Sequence, residues 1–236
     1  MHKALIGFDI NEYPEIEIFQ KYFECDFCEY NEDYFIKNIS KYTILVPHLY
    51  LDLSSKLIGL AYNLKYLFTP STGTNHIDLQ AVKENDINFY CLSDNADFIS
   101  EISSTAELAW LLILAANRKI ISLNRRVISE NSWKNNDIRG NQLKNKTIGI
   151  IGFGRLGKMV YEYAKSFDMN ILIYDIDENS VLGFENHAVD FDGLIKSSDV
   201  ITLHPKLNET SFEMINRRSI KLMKDGVIII NTSRGD

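Results

Sequence analysis

The chain contains two long series of short apolar runs, and amphipathic segments separate the runs from one another. The first series contains the apolar, strand-like runs ALIGF, ECDFCEY, YTILVPH, LKYLFTP and INFYCL. The second contains TIGIIG, NILIYD, HAV, VITLHP and VIIIN. Between these runs, apolar residues recur every three or four positions, which is typical of amphipathic helices. Strands that alternate with helices pair in parallel. The pattern therefore predicts an α/β protein with two doubly wound parallel sheets.

The clearest helical segments of the first series are DLSSKLIGLAY and HIDLQAVKEN, and each begins near an Asp or Asn that can cap it. Between the two series, the apolar spacing predicts one long helix from about Ser104 to Ser129, followed by the polar loop ENSWKNNDIRGNQLKN. The helices predicted in the second series begin at Arg155, Asp192 and about Thr210. We therefore place the domain boundary between residues 1–103 and 104–236.

Composition is that of an ordinary globular protein. The 236 residues carry a net charge of −7, and 45% of them are hydrophobic. Without a basic surplus, neither nucleic acid nor an anionic membrane is an expected partner. The longest apolar stretch, Leu108 to Ala116, is shorter than the roughly 20 residues of a membrane span. Acidic residues close to the N-terminus argue against a signal or transit peptide. We therefore expect a soluble cytoplasmic protein.

The three cysteines are Cys25, Cys28 and Cys91, too few for a disulfide framework. Cys25 and Cys28 have the spacing of redox and zinc sites. Their surroundings read as a strand, which would direct the two side chains to opposite faces of the sheet. We therefore expect them to be structural, and no metal site is predicted.

A glycine motif follows the first strand of the second series. Gly152, Gly154 and Gly157 form the pattern GxGxxG between an apolar strand and a helix. In this context the first glycine permits a tight turn, the second lets a pyrophosphate approach the backbone, and the third lets helix and strand pack closely. The amides of Gly154, Arg155 and Leu156 at the helix N-terminus are expected to bind the phosphates.

An acidic residue, Asp175, ends the next strand, NILIYD. A carboxylate at this place hydrogen-bonds the adenosine ribose of NAD and repels the additional phosphate of NADP. Two unit charges about 4 Å apart interact by roughly 4 kcal/mol at an effective dielectric constant of about 20. The sequence therefore predicts NAD as the cofactor, and Asp177 adds to the repulsion of NADP.

Five stretches together resemble the D-isomer-specific 2-hydroxyacid dehydrogenases, the family that includes phosphoglycerate dehydrogenase. They are LKYLFTPSTGTNHIDL, SSTAELAWLLILAANRKI, LKNKTIGIIGFGRLGKMVYEYAKSFDMNILIYD, DVITLHPKLNET and VIIINTSRGD, within residues 64–236. The resemblance implies a flavodoxin-like substrate-binding domain followed by a Rossmann NAD-binding domain, here incomplete. It also implies an active site between the domains and a homodimer formed through the helix that begins near Ser104.

The resemblance further assigns roles to residues. Backbone amides of the loop Ser71, Thr72 and Gly73 would hold the substrate carboxylate. Arg234 matches the catalytic arginine, which can grip a carboxylate and the C2 oxygen together. The remaining matches line NAD: Thr232 and Ser233 on the nicotinamide side, and His204, Pro205 and Thr210 on the adenosine side. His204 is interpreted as a packing or cofactor-lining residue in preference to a general base.

In the family, a histidine supported by a glutamate donates the proton, and both follow the arginine. The sequence ends at Asp236, so we expect a fragment of a longer enzyme. The alternatives are a natural truncation that pairs its edge strand with another subunit, and a chain in which catalysis has been lost. His48 and His76 lie near the predicted substrate site, but a structural role is favoured for both.

The main functional hypothesis is an NAD-dependent oxidoreductase of D-2-hydroxy or 2-oxo acids, or the N-terminal part of one. The rival hypothesis is a catalytically silent module that binds NAD(H) and regulates a partner. A nearer alternative is a formate dehydrogenase of the same superfamily. The sequence does not identify the acid.

Overall fold

The computed structural model describes residues 2–9, 11, 13–28, 31–130 and 138–235. Most of the polar loop predicted around Trp133 lies outside these residues, as do Glu29, Tyr30 and Asp236. The chain forms two compact units, Met1–Ile99 and Ser100–Asp236.

The first unit contains a 5-stranded parallel sheet with the strand order β2-β1-β3-β4-β5. The strands are β1 (Lys3–Ile6), β2 (Glu24–Phe27), β3 (Ile44–Val46), β4 (Tyr66–Thr69) and β5 (Asn88–Cys91). The helices are α1 (Glu32–Asn38), α2 (Ser55–Leu60), α3 (Leu79–Glu84) and α4 (Ala96–Ser100), with 3-10 turns at Pro14–Lys21, Ile39–Lys41 and Leu92–Asp94. This is the flavodoxin-like strand order, so the predicted fold class is confirmed for this unit.

The core of the first unit lies between its sheet and its helices. Leu5, Leu45 and Leu67 come from three adjacent central strands and are fully buried. They pack in one cluster with Phe35 of α1 and Ile58 of α2. Strands that are buried in this way read as continuous apolar runs, which is why the sequence pattern identified them.

The second unit contains a 4-stranded parallel sheet with the order β7-β6-β8-β9. The strands are β6 (Thr147–Ile151), β7 (Asn170–Tyr174), β8 (Val200–Leu203) and β9 (Ile228–Asn231). The helices are α5 (Ser104–Asn117), α6 (Ile120–Glu130), α7 (Arg155–Ser166), α8 (Phe191–Ser197) and α9 (Arg217–Leu222), with 3-10 turns at Glu178–Val181 and Glu185–His187. The predicted Rossmann-type order of parallel strands is confirmed, but the predicted strand HAV is only an isolated bridge between Ile173 and Ala188.

Helices cover both faces of this second sheet. On one face, Trp110 and Ile113 of α5 and Val160 of α7 pack in one cluster with Ile150 of β6. Trp110 makes edge contacts with the rings of Tyr163 and Phe167, at centroid distances of 5.9 and 5.0 Å. On the other face, α8 buries Leu194 and Ile195 against the sheet. The sheet is therefore held in a fixed position between two helical layers.

Two predicted helices differ from the structure. The long helix predicted from Ser104 to Ser129 is two helices, α5 and α6, separated where Lys119 has a φ of 53°. The helix predicted to begin near Thr210 begins instead at Arg217. The residues around Thr210 form turns.

One helical stretch of the described residues, Ala96–Asn117, has the length and apolar composition of a membrane-crossing helix. Its most apolar window has a mean hydropathy of 1.4, and 22% of that window is buried. Ala106, Ala109 and Ile113 in this stretch are nonetheless fully buried in the core of the second unit. Burial against a sheet is the usual place of such a helix in a globular protein.

Candidate functional site

The turn after β6 lies at the point where the strand order of the second sheet reverses, between β6 and β8. Ligands of open α/β sheets bind outside the C-terminal ends of the strands at this point. Gly152 follows β6 with a φ of 85°, a left-handed conformation that favours glycine. A Cβ at this position would lie 2.6 Å from the nitrogen of Pro205, which follows β8. The absence of a side chain therefore lets the loops after β6 and β8 approach closely.

The other two glycines of the motif have different surroundings. A Cβ on Gly157, in the first turn of α7, would collide with the carbonyl oxygen of Gly152, so this glycine is needed for packing. A Cβ on Gly154 would have no heavy atom within 4 Å. Gly154 is the N-cap residue of α7 and is exposed. The space above it is open, as the predicted approach of a pyrophosphate requires.

Three consecutive amides at the start of α7 are unpaired among the described residues. Within the part of the chain that the structure describes, the amides of Gly154, Arg155 and Leu156 donate to no protein acceptor. The helix that they begin has 12 residues, so its dipole adds partial positive charge at the same end. The Arg155 guanidinium donates a hydrogen bond to the carbonyl oxygen of Ile102, which holds this side chain in place. An anion is the natural ligand of such an end.

The carboxylate of Asp175 lies beside the glycine turn. Its Oδ2 accepts a hydrogen bond of 2.6 Å from the amide of Phe153, and its Oδ1 accepts one of 2.9 Å from the amide of Asp177. Phe153, which lies between the first two glycines, is fully buried and packs against the rings of Tyr161 and Phe184. Asp175 is therefore fixed in orientation, while each oxygen keeps a lone pair for a hydroxyl donor.

His204 follows β8 and is partly buried, with its Nδ1 atom fully enclosed. One ring nitrogen, Nε2, forms a hydrogen bond of 2.9 Å with Oγ1 of Thr202. Burial lowers the pKa of His204 to about 4, so the ring is neutral at neutral pH and poorly suited to be a general base. Among the described residues, neither His204 Nδ1 nor Thr232 Oγ1 has a hydrogen-bond partner, although both atoms are buried. Buried polar atoms without partners call for an explanation, and a bound ligand is one.

The loop after β9 contacts the loop after β8. The Ser233 hydroxyl donates a hydrogen bond of 2.6 Å to the carbonyl oxygen of Pro205. Arg234 is exposed, and its guanidinium donates a hydrogen bond of 3.1 Å to the carbonyl oxygen of Ser233. A pocket beside this loop is lined by Pro205, Ser233 and Arg234, together with Leu207, Ser211 and Met214. The structure therefore brings together the predicted residues that follow β6, β8 and β9.

Thr210 is placed differently from these residues. Its hydroxyl donates a hydrogen bond of 2.7 Å to the side chain of Asn208 within an exposed turn. It does not line the pocket beside Arg234. Thr202, in contrast, was not singled out in the sequence, although a polar residue in the apolar run VITLHP was the signal that could have identified it.

The predicted substrate loop lies in the first unit, at the C-terminal end of β4. The Ser71 hydroxyl donates a hydrogen bond of 2.6 Å to the carbonyl oxygen of Gly73. In the described residues, the amides of Thr72 and Gly73 have no acceptor, as the predicted carboxylate-binding role requires. His76 Nε2 is 3.5 Å from Thr69 Oγ1, and the ring of His48 packs against the ring of Tyr50 at 4.8 Å.

The spacing of Cys25 and Cys28 does not create a metal site in the described part of the chain. Cys25 lies within β2, and Cys28 follows its end. Burial raises the pKa of the Cys28 thiol to about 11, which keeps it protonated. The described residues contain no group of three or more His, Cys, Asp or Glu side chains that could hold a metal ion.

A glycine turn with open amides, a fixed acid at the end of the next strand and a switch point between parallel strands define a dinucleotide-binding α/β protein. Residues 110–236 match the profile of the D-isomer specific 2-hydroxyacid dehydrogenase, NAD binding domain. Residues 6–132 match that of the D-isomer specific 2-hydroxyacid dehydrogenase, catalytic domain. The chain belongs to the D-isomer specific 2-hydroxyacid dehydrogenase family.

Individual relatives agree with this assignment. The chain is 36% identical to a hydroxypyruvate reductase of Thermotoga maritima over 86% of its length, and this match covers 64% of the relative. It is 36% identical to a D-3-phosphoglycerate dehydrogenase of Archaeoglobus fulgidus over 85% of its length, which covers 37% of that protein. The chain thus spans less than two thirds of the length of these curated relatives.

A solved structure shows the same fold. D-lactate dehydrogenase from Aquifex aeolicus, complexed with NAD and lactic acid, aligns with 99% of this chain and 69% of its own, at a TM-score of 0.82 and 28% identity. The predicted family and fold class are therefore confirmed, and NAD is confirmed as the cofactor at the level of the family. The roles of individual site residues stay predictions.

Proposed function

We propose that this chain carries the NAD-binding and carboxylate-binding parts of an oxidoreductase that transfers a hydride between nicotinamide and C2 of a D-2-hydroxy or 2-oxo acid. The observation that carries the proposal is the set of open amides at Gly154, Arg155 and Leu156 beside the fixed carboxylate of Asp175. The activities named for the hydroxypyruvate reductase and the phosphoglycerate dehydrogenase support this class of substrate.

The residues present fit the cofactor. The open amides would bind the pyrophosphate, and Asp175 would accept hydrogen bonds from the adenosine ribose. Gly154 leaves the approach free, because no heavy atom lies within 4 Å of the place where a Cβ would be. The buried atoms Nδ1 of His204 and Oγ1 of Thr232, which have no partner among the described residues, would gain one. Pro205 and Ser233 would line the same site, whereas Thr210 lies in an exposed turn beside it.

The residues proposed to bind the substrate acid offer a positive charge and hydrogen-bond donors to its carboxylate. The nicotinamide, when bound, supplies or accepts the hydride. Arg234 is exposed and would hold the carboxylate and stabilise the charge that develops on the C2 oxygen. The amides of Thr72 and Gly73 would donate to the carboxylate. The low pKa of His204 keeps its ring neutral beside the cofactor, where it would act as a polar lining group.

We also propose a homodimer that forms through the second unit. Leu108, Leu111 and Leu112 on α5 are 48%, 60% and 37% exposed, although they are apolar. The following helix, α6, buries none of its residues in the chain itself, and Ile121 and Ile128 on it are 71% and 75% exposed. Contiguous exposed apolar residues of this kind mark an interaction surface. We propose a cytoplasmic location as well, and the net charge of −7 argues against nucleic acid or an anionic membrane as a partner.

Calorimetric titration with NADH tests the cofactor site. We expect the wild-type chain to bind NADH, and Asp175→Ala to weaken binding by about 10- to 150-fold, because charged hydrogen bonds to the ribose are lost. Asp177→Ala is the control, since this exposed residue adds charge near the site without bonding the glycine turn. Equal affinity of the wild type and Asp175→Ala would contradict the proposed cofactor site.

The proposed reaction is tested with NADH and a panel of pyruvate, glyoxylate, hydroxypyruvate and 3-phosphohydroxypyruvate. Oxidation of NADH that depends on one of these acids supports the oxidoreductase, and Arg234→Ala should abolish it. Tight NADH binding without binding or turnover of any acid would favour the regulatory module instead. Reduction of NAD that depends on formate would identify a formate dehydrogenase.

A further inference from the structure

Cys91 lies in direct contact with the loop proposed to bind the substrate carboxylate. It is the last residue of β5, an edge strand of the first sheet, and it pairs with Thr69 of β4. Its side chain is only 8% exposed. The thiol donates a hydrogen bond of 3.0 Å to the carbonyl oxygen of Ser71 and accepts one of 3.1 Å from the hydroxyl of Ser93. The thiol therefore has a defined direction.

The carbonyl group that the thiol contacts belongs to the same peptide plane as the amide of Thr72. Because a peptide unit is planar and trans, the C=O of Ser71 and the N–H of Thr72 point in opposite directions and rotate together. Fixing the carbonyl oxygen on Cys91 therefore fixes the direction of the Thr72 N–H. A donor to the carbonyl also polarises the peptide, which makes its N–H a stronger donor.

A second set of hydrogen bonds holds the next part of the loop. The Ser71 hydroxyl donates to the carbonyl oxygen of Gly73 at 2.6 Å, and Oγ1 of Thr69 lies 3.0 Å from the same hydroxyl. Since the Ser71 hydrogen is engaged with Gly73, Thr69 is the donor in that second contact. These bonds fix the peptide that follows Gly73, but they do not fix the one that precedes Thr72. That peptide depends on Cys91.

We propose that Cys91 is a positioning residue that directs the Thr72 amide at the substrate carboxylate. This inference rests on the proposed function, since it assumes that Thr72 and Gly73 bind an acid. It assigns the buried thiol a role in substrate affinity and none in binding the dinucleotide, because the glycine turn belongs to the other unit.

Two substitutions separate positioning from packing. Cys91→Val keeps an apolar side chain of similar volume and removes the donor. Cys91→Ser keeps a donor but is a poorer filler of an apolar site. Positioning by the thiol predicts that valine weakens binding of the acid more than serine does. Simple packing predicts the reverse order.

The experiment measures binding of oxamate, a carboxylate analogue of 2-oxo acids, to the NADH-loaded chain by calorimetry. We expect Cys91→Val to weaken oxamate binding by about three- to tenfold and Cys91→Ser by less, with unchanged NADH affinity in both. Cys25→Val is the matched control, since Cys25 lies in β2 at the opposite edge of the same sheet. It should leave oxamate affinity unchanged.

The outcomes are distinct. If the wild-type chain binds NADH but no oxamate, the proposed substrate site and this inference both fail. If it binds oxamate, and Cys91→Val binds it as well as Cys91→Ser does, only the inference is overturned. Should Cys91→Val not fold, Cys91→Ala removes the donor in its place: its Thr72 amide resonance must shift, and its oxamate affinity must fall below that of Cys91→Ser. An unchanged Thr72 resonance in Cys91→Ala overturns the proposal.

Discussion

Around the glycine turn, the surroundings of single residues determine whether their side chains carry a charge. His204 and Asp175 both follow strands of the same sheet and both are partly exposed, but only Asp175 accepts hydrogen bonds from two backbone amides. Burial of most of the imidazole, whose Nε2 bonds the neutral hydroxyl of Thr202, lowers the pKa of His204 and disfavours its charged form. The sequence shows which residue type stands at each position, but it does not show how many hydrogen-bond donors contact its side chain. The interpretation of His204 as a lining residue therefore needed the structure for its physical reason.

The low pKa of His204 predicts a loss of stability on acidification. The unfolded chain takes up a proton near the ordinary pKa of 6.5, while the folded chain resists until about pH 4. Stability should thus fall as the pH is lowered between these values. At pH 5 this residue should contribute a loss of about 2 kcal/mol relative to pH 7. Denaturant unfolding followed by circular dichroism at both pH values measures it.

His204→Asn should show a smaller difference between pH 7 and pH 5, by about that amount, while His2→Asn, at an exposed position, should behave as the wild type does. An unchanged pH dependence in His204→Asn would show that the ring is protonated with equal ease in both states.

At the scale of elements, the sequence predicted the strands more accurately than the helices. Apolar strands buried on both faces have a strong local signal, and all of them but HAV are present. The long helix is interrupted because the carbonyl of Asn117 accepts a hydrogen bond from the amide of Asn141. In an uninterrupted helix, that carbonyl would accept from residue 121. The contact joins distant parts of the chain, so no local pattern could reveal it.

The sequence pattern predicted the start of α9 too early in the chain, and the reason is local. The side chain of Asn208 accepts hydrogen bonds from the amides of Thr210 and Ser211, which resembles a helix cap. The turn ends where Glu213 adopts a φ of 50°. The true cap is Asn216, which accepts from the amides of Arg218 and Ser219. Two similar caps lie close together in the sequence, and propensity alone does not separate them.

The surroundings of Gly157 and Gly154 predict different effects when each is replaced by alanine. Gly157→Ala should lower the free energy of unfolding by about 1–3 kcal/mol, because the new Cβ meets the carbonyl of Gly152. Gly154→Ala should change it by no more than about 1 kcal/mol, since its φ of −76° suits alanine and no atom is near. Gly154→Ala should nevertheless weaken NADH binding by at least about tenfold, because the methyl group occupies the phosphate approach.

Calorimetry and chemical denaturation measure the two quantities separately. A Gly154→Ala variant that binds NADH as the wild type does would show that the pyrophosphate does not pass over this residue. The pair is informative because the same methyl group is added at both positions.

For the whole molecule, the fold class, the family and NAD could be predicted from the sequence, because several separated motifs had to occur in the right order. The contacts between loops could not be predicted. The close approach of Gly152 to Pro205 and the bond from Cys91 to Ser71 join residues that are far apart in the chain. Such contacts depend on the pairing of the strands, which apolar runs alone do not specify.

The proposed homodimer predicts the behaviour of the second unit in solution. Leu111→Glu places a charge on the exposed apolar face of α5 and should convert the dimer to a folded monomer, which sedimentation equilibrium measures. Ile36→Glu, on an exposed face of α1 that is 44% accessible, is the control and should leave the dimer intact. A wild-type chain that sediments as a monomer, or a dimeric Leu111→Glu, would contradict the proposal.

The position of Trp110 has a practical consequence for all of these measurements. The chain has two tryptophans, Trp110 and Trp133, and both come after Ile99, the last residue of the first unit, in the sequence. Selective excitation of indole therefore excludes the first unit, while tyrosine emission and absorbance include it. Because Trp110 packs against Tyr163 on α7 and against Phe167 at its C-terminal cap, its emission spectrum should shift when this helix detaches from the sheet. The melting of each half can thus be followed optically without adding a label.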